Sequence, residues 1–342
     1  MSVGLSAQKD NKEKKEYSVV CMGFYNFENL FDTLDTEDVR DSEFTPKGSR
    51  LYGTEIYQDK LGKLSKVVAQ LGKELTPDGV ALLGVAEIEN KSVLEDFVKH
   101  PNVKQRNYEI VHYDSPDKRG IDVGLIYNPK YFKVLESAPL EVKMISKRDG
   151  ERVFTRDILW VHGELDGESI HVLVNHWPSR RGGEAASSYL RQGAARVCKD
   201  KVMKIYEKEP YAKIFIMGDM NDDPTNASVK DVLMTVDKAK KVKKQGLFNP
   251  WEVNYKAGDG TLAYRDSWNL FDQIILSHAA TVKDKEGGYS YYKNTIFKKP
   301  FMFETKGRYK GYPLRTYAGG KYKGGYSDHF PVYISLIKEK KK

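Results

Sequence analysis

Apolar residues occur along the chain in short continuous runs, and polar, glycine-containing turns separate them. Runs of this length, rich in Val, Ile, Leu and Phe, predict buried β-strands. The predicted strands lie at residues 17–25, 80–86, 108–112, 121–127, 131–143, 151–165, 169–175, 214–217 and 270–276, and after the turn at 326–329.

Helical periodicity is found in a few longer segments between the strands. In residues 57–75 the apolar side chains recur at intervals of three and four, as on one face of a helix. Similar patterns predict helices at 91–99, 184–208 and 226–235. Strands in runs, with long helices between them, indicate an α/β or α+β domain with large sheets. No linker divides the sequence, so we predict a single domain over residues 17–342.

The composition agrees with a globular protein. Of 342 residues, 40% are hydrophobic and 30% are charged, and no run approaches the roughly 18 apolar residues of a membrane span. We expect a monomer without a membrane-spanning segment. Residues 1–16 combine a small apolar start with a charged stretch. This terminus is either disordered or the remainder of an export signal, which favours a secreted or periplasmic protein over a cytoplasmic one.

Polar residues of catalytic type end, or lie within, five of the predicted strands. Asp219 and Asn221 follow a buried run and Gly218, and their spacing of two places both side chains on one face of an extended segment. Asn26, Glu87, His176 and Asp272 occupy comparable positions, and Asp328 with His329 precedes the last strand. Each alone is typical of a turn, a cap or a packed polar group. As a set beside apolar runs, they should pair or bind something, since unpaired burial is costly. Oxygen donors without cysteine suit a hard cation such as Mg²⁺.

Six of these segments together resemble the endonuclease/exonuclease/phosphatase superfamily, whose members are DNase I-like metal-dependent phosphodiesterases. The matching motifs are Asn-Phe-Glu-Asn at 26–29, Glu87 after its apolar run, Asn175-His176, Gly-Asp-Met-Asn at 218–221, Asp-Gln-Ile at 272–274 and Ser-Asp-His-Phe-Pro-Val at 327–332. The resemblance spans about residues 18 to 337 in family order. It implies a four-layer α/β sandwich in which two packed mixed β-sheets are flanked by helices, with the active site at the strand ends.

The resemblance also implies a role for each residue. Glu87 would be the main Mg²⁺ ligand, with Asn26 beside it and Asp328 near a metal or a water; Mn²⁺ or Ca²⁺ are possible substitutes. Asp219 would orient and deprotonate the attacking water, and Asn221 would bind a phosphate oxygen. The remaining roles are a His329 that pairs with Asp272 and contacts the phosphate, a His176 on the opposite side, and a phosphate-facing Arg119.

Some assignments have alternatives within the sequence. Glu89 lies two residues beyond Glu87 and could replace it as the metal ligand, and Asp222 and Asp223 could compete for the metal. Arg180 and Arg181 follow His176 in a glycine-rich turn, where their guanidinium groups could bind a phosphate in bidentate fashion.

The C-terminal region bears on the substrate. Net charge is +8, and residues 281–342 alone hold 15 Lys or Arg against 5 Asp or Glu. A basic insertion at about 283–325 alternates cations with tyrosine and phenylalanine, which suits phosphates and stacked bases. The tyrosines could equally form a small core, and the lysines a solvated face. We therefore expect a nuclease acting on DNA or RNA. The alternatives are a phosphodiesterase or phosphatase for a lipid head group, an inositol phosphate or another small ester, and a non-catalytic phosphate-binding protein.

Overall fold

The structure is a computed structural model that describes residues 15–282 and 288–340. Most of the expected N-terminal tail at 1–16, and positions 283–287 at the start of the expected basic insertion, lie outside the described residues. In the part that is described, no helix has the length and apolar character needed to cross a membrane.

Strands dominate the described residues. The first ten are β1 (Tyr17–Leu30), β2 (Val80–Ile88), β3 (Glu109–His112), β4 (Asp122–Tyr127), β5 (Phe132–Leu140), β6 (Met144–Ile145), β7 (Arg152–Val153), β8 (Ile158–Leu165), β9 (Glu168–His176) and β10 (Lys213–Asp219). The others are β11 (Thr235–Val236), β12 (Leu247–Phe248), β13 (Leu262–Tyr264), β14 (Ser267–Asn269), β15 (Asp272–Ser277), β16 (Ser290–Ile296), β17 (Tyr317–Ala318), β18 (Lys321–Tyr322) and β19 (Val332–Glu339).

Helices are fewer. The α-helices of the described segments are α1 (Thr54–Val68), α2 (Lys91–Lys99), α3 (Glu184–Lys208) and α4 (Trp251–Lys256). Short 3₁₀ helices lie at Ser42–Phe44, Lys104–Arg106, Ala239–Lys241, His278–Ala280 and Pro300–Met302, and one π-helical turn at Ser228–Val232.

The strands form two large mixed sheets that pack face to face. One has the order β16-β19-β1-β2-β4-β3 and the other β11-β12-β15-β10-β9-β8-β5. Because side chains alternate between the faces of a strand, β1 contributes Met22 and Phe24 to the core between the sheets, and Cys21 and Tyr25 to the core beneath α1 and α2. The second sheet packs its other face against α3. The four layers, helices, sheet, sheet and helix, confirm the expected sandwich.

Most elements begin and end close to their predicted limits. Helices α2 and α3 have the predicted bounds. The predicted strand at 151–165 is divided into β7 and β8 by residues 154–157, where Arg156 pairs with Asp117. The helix predicted near 226–235 is shorter than expected: one π-helical turn forms at Ser228–Val232, and β11 begins at Thr235.

Candidate active site

The candidate active site is centred on the carboxylate of Asp219, the last residue of β10. Strand register places Asp219 opposite His176 of β9 on one side and Asp272 of β15 on the other. Its side chain is only 2% exposed. Asn26 donates an amide hydrogen to Oδ2 of Asp219 at 3.1 Å, which joins the first sheet to the second. The backbone N–H of Asn221 donates to the other oxygen, Oδ1, at 2.9 Å.

Two imidazole nitrogens flank that same carboxylate oxygen. Nε2 of His176 lies 3.7 Å from Oδ2 of Asp219, and Nε2 of His329 lies 3.8 Å from it. Both separations exceed a hydrogen bond. The arrangement therefore presents one buried carboxylate oxygen and two imidazole edges toward a common space.

The two histidines differ in charge. Nδ1 of His329 lies 2.7 Å from Oδ2 of Asp272. Burial lowers the pKa of His329, but the negative charges of Asp272 and Asp219 outweigh burial and raise it well above its usual value. His329 is therefore an imidazolium at neutral pH. Asp219, Asp272 and His329 thus form a buried cluster of two carboxylates and one imidazole, each of which offers an atom within 4.8 Å of the others.

His176 is held neutral. Burial lowers its pKa well below the usual range, and the cations Arg156 and Arg119 lower it further. Its Nδ1 is buried and has no hydrogen-bond partner among the described residues. Nε2 of His176 lies 3.8 Å from Oε1 of Glu87, so this ring faces both Glu87 and Asp219.

Glu87 and the first motif are positioned by irregular backbone. The pairing of β2 with β4 shifts register between Ala86 and Ile88, which makes Glu87 the extra residue of a bulge with φ 57°. β1 shifts register against β2 after Asn26, and Glu28 and Asn29 have φ of 48° and 58°. Bulges re-aim side chains at functional sites. The sequence gives no signal for them.

The residues fit a divalent metal of the hard type. Among the described residues, no hydrogen bond is made to the carboxylate of Glu87, whose side chain is 15% exposed. Asn26 adds an amide oxygen, which already accepts from the N–H of Glu28 at 2.8 Å. Oδ1 of Asp272 is buried and without a hydrogen-bond partner in the same part of the chain. Oxygen donors of this kind suit Mg²⁺, Mn²⁺ or Ca²⁺.

Glu89 is committed elsewhere. Its carboxylate accepts hydrogen bonds from the backbone of Asp32 at 2.6 Å and from Oγ1 of Thr36 at 3.1 Å. Burial raises its pKa to about 7. This leaves Glu87, which lacks such partners in the described structure, as the better metal ligand of the two.

Asn221 and Arg180 lie in the loop that follows Asp219. Asn221 has φ 48° and donates from its amide to the carbonyl of Trp177 at 2.9 Å. Arg180 donates to the carbonyl of Asn221 at 2.9 Å, and its guanidinium also pairs with Asp223 at 3.0 Å and Asp222 at 3.4 Å. These contacts hold the loop, and Arg180 together with Arg191 balances the charges of Asp222 and Asp223.

The other predicted residues lie at the rim. Asp328 pairs with Arg315 at 3.1 Å and lies 4.0 Å from Nε2 of His329. Arg119 is exposed and donates to the side chain of Asn29. Arg181 is exposed in the turn before α3.

Two buried cations of the site could not be found by motif. Arg156 donates to the carbonyls of His176 at 3.2 Å and Trp177 at 2.7 Å, and pairs with Asp117 at 3.0 Å. Lys60 on α1 is fully buried and donates to the carbonyl of Glu28 at 2.6 Å. Both side chains donate to backbone carbonyls, and every residue has a carbonyl, so no motif marks these contacts. The one sequence signal for such a residue is a cation at an inward-facing position of an apolar pattern.

A buried ion pair anchors the loop after Asp219 to α3. Nε of Arg191 lies 2.6 Å from Oδ1 of Asp222, with side chains 0% and 1% exposed. We expect Asp222→Asn to lower the free energy of unfolding by about 3 kcal/mol, because it leaves a buried guanidinium without its counter-charge. Urea denaturation followed by circular dichroism measures this, with Asp200→Asn on the exposed face of α3 as the matched control. A loss equal to that of the control would contradict the anchoring role.

The similarity of the chain to known proteins agrees with the family expected from its motifs. The sequence profile of the Endonuclease/Exonuclease/phosphatase family matches residues 21–338. No curated protein sequence matches the chain significantly.

Solved structures of the same fold share little sequence with the chain. A mannosyl-6-phosphatase of Bacteroides thetaiotaomicron is 16% identical, with 93% of this chain and 99% of that chain covered and a TM-score of 0.56. The catalytic domain of human nocturnin, with bound sulfate, is 13% identical, with 95% and 97% covered and a TM-score of 0.54. Humanized TDP2 of D. rerio is 16% identical, with 93% and 98% covered and a TM-score of 0.53. With the profile match over most of its length, this chain belongs to the endonuclease/exonuclease/phosphatase family and is a hydrolase of phosphate esters.

Proposed function

We propose that the chain is a Mg²⁺-dependent nuclease that hydrolyses phosphodiester bonds in DNA or RNA by in-line attack of water. The observation that carries this proposal is the arrangement around Oδ2 of Asp219, with the two imidazole Nε2 atoms 3.7 and 3.8 Å away. A basic oxygen between two ring edges suits a water and a tetrahedral phosphate, which need a proton acceptor and donors on different sides.

The residues divide the work of the reaction. Asp219 accepts the proton of the attacking water, while its bond to Asn26 fixes the direction of Oδ2. The imidazolium of His329, held by Asp272, donates to a phosphate oxygen and offsets the charge that builds up there. His176 contacts the phosphate from the other side. The second amide hydrogen of Asn221 binds a nonbridging oxygen.

Glu87 and Asn26 would hold the metal ion. When it is bound, Mg²⁺ neutralises phosphate charge and aids the leaving oxygen. The support for this assignment is the carboxylate of Glu87, which accepts no hydrogen bond from the described residues and lies 3.8 Å from Nε2 of the neutral His176. Asp328 is less suited, since Arg315 already compensates its charge.

The choice of nucleic acid as substrate is supported by charge and aromatic exposure. Residues 281–342 carry the excess of 15 cations over 5 acids. Within the aromatic region, Tyr292 and Tyr309 are 60% and 56% exposed, while Tyr317 and Tyr326 are 6% exposed. The buried tyrosines belong to a core, and the exposed ones are available to stack on bases, which supports the proposal.

A substrate panel tests the function. We expect hydrolysis of single-stranded DNA or RNA with Mg²⁺ and none with chelator, and weaker or no turnover of inositol phosphates, sphingomyelin and hexose 6-phosphate. Turnover of a small ester alone would replace the nuclease by a phosphatase.

Glu87→Gln should raise the Mg²⁺ concentration needed for half-maximal activity, because one of the ligating charges is lost. An unchanged Mg²⁺ requirement in the variant would refute Glu87 as ligand.

A further inference from the structure

A cavity of about 390 Å³ opens between the β13–β14 hairpin and the loop at 304–323. We call it the Tyr/Arg pocket. Its lining includes Tyr264, Arg265, Arg308, Tyr309, Arg315 and Lys323. It lies outside the cluster around Asp219.

The lining is positively charged. Four cations, Arg265, Arg308, Arg315 and Lys323, face two carboxylates, Asp266 and Glu304. Arg308 lies 3.7 Å from Asp266, but the two side chains are 74% and 66% exposed. Such a surface pair is weak, because water screens both charges. A phosphate, which accepts a bidentate guanidinium, can therefore displace Asp266 from Arg308.

Exposed aromatic rings accompany these cations. Tyr264 is 61% exposed and Tyr309 is 56% exposed, far above the buried tyrosines of the same region. The guanidinium of Arg265 lies 5.2 Å from the ring centroid of Tyr264, and that of Arg308 lies 5.9 Å from that of Tyr309. Ring and cation side by side match the two parts of a nucleotide, its base and its phosphate.

The pocket adjoins the candidate active site. Arg315 of the lining pairs with Asp328 at 3.1 Å, and Asp328 precedes His329. A ladder of aromatic contacts runs in the same direction, from Tyr312 to Trp268 at 6.2 Å and from Trp268 to Phe330 at 6.1 Å. Phe330 follows His329, so the pocket and the catalytic imidazole are fixed to one another.

We propose that the Tyr/Arg pocket binds the nucleotide next to the scissile phosphate and thereby selects unpaired strands. A base stacks on Tyr264 or Tyr309 only when it is released from a duplex, and the neighbouring phosphate binds Arg308 and Lys323. A sugar phosphate has no aromatic base that could stack on these tyrosines, and a duplex keeps its bases inside. The inference rests on the proposed nuclease function.

Steady-state kinetics and binding of labelled strands test the pocket. The substrates are a single-stranded DNA oligonucleotide, the RNA of the same sequence and the DNA duplex. We expect Arg308→Ala with Tyr309→Ala to raise KM and Kd for both single strands about tenfold, and to change kcat much less. The matched control is Arg196→Ala with Tyr211→Ala, which removes an exposed arginine and an exposed tyrosine elsewhere.

The outcomes separate the two proposals. A rise in KM confined to the DNA strand or to the RNA strand supports the pocket and shows whether it accepts deoxyribose or ribose nucleotides. Strand binding and cleavage equal to the control pair would overturn the pocket, as would wild-type preference for the duplex. If the wild type binds single strands through the pocket but hydrolyses only small esters, the nuclease function fails and the pocket remains. Thermal melting confirms that each variant is folded.

Discussion

Asp219→Asn is expected to lower kcat by at least about two orders of magnitude, the low end of what a general base contributes. An amide of the same shape cannot take a proton from water. It leaves the buried position occupied and so should preserve the packing with Asn26 and the two histidines. Substrate binding is expected to persist, because Asn221, His176 and the rim cations are unchanged.

Single-turnover kinetics with excess enzyme measure this effect on the chemical step. Asp200→Asn makes the same chemical change on the exposed face of α3 and serves as the control. Turnover of Asp219→Asn within tenfold of the control would refute the role of Asp219 as base. A loss of binding equal to the loss of rate would indicate a structural role instead.

His329→Ala and Asp272→Asn are each expected to lower kcat by about two to three orders of magnitude, and the double variant no further than the worse single one. The physical reason is that Asp272 acts through His329: it holds the ring at 2.7 Å and raises the pKa of His329. Groups that act as one unit show this non-additivity. Alanine at 329 removes the donor, and asparagine at 272 leaves the donor without its counter-charge.

The double-variant cycle is read from kcat at fixed saturating Mg²⁺. Additive losses would show that the two residues contribute independently and would contradict the pair. The half-buried His278, outside the site, supplies a matched control as His278→Ala. Circular dichroism is needed alongside, because Asp272 is fully buried and its variant could lose stability.

Short apolar runs in the sequence predict most of the long strands, whereas the four-layer arrangement is implied by the resemblance to the family. His176 and Asp219 end strands β9 and β10, Asp272 begins the neighbouring β15, and the register brings the three together. The resemblance to the family implied that these residues meet. Local periodicity predicts individual strands but does not give their order within a sheet.

Backbone irregularity and distant partners are what the sequence does not reveal. The bulge at Glu87 depends on how β2 pairs with β4, a property of two segments rather than one. Lys60 and Arg156 bind carbonyl groups, which carry no side-chain signature. Arg180 has motif spacing for a phosphate, yet the acids at 222 and 223 occupy it. Whether such an arginine can bind a phosphate depends on the acidic side chains that lie beside it in the folded protein. The sequence does not show which acids those are.

The hydrogen bond from Asn26 to Asp219 has a consequence for how this enzyme can be divided. Asn26 and Glu87 belong to one sheet, whereas His176, Asp219 and Asp272 belong to the other. Each sheet therefore holds half of the candidate active site, and the apolar layer between them sets the alignment of the halves. If the site acts as proposed, its activity depends on sheet-on-sheet packing, because neither sheet alone carries all of its residues.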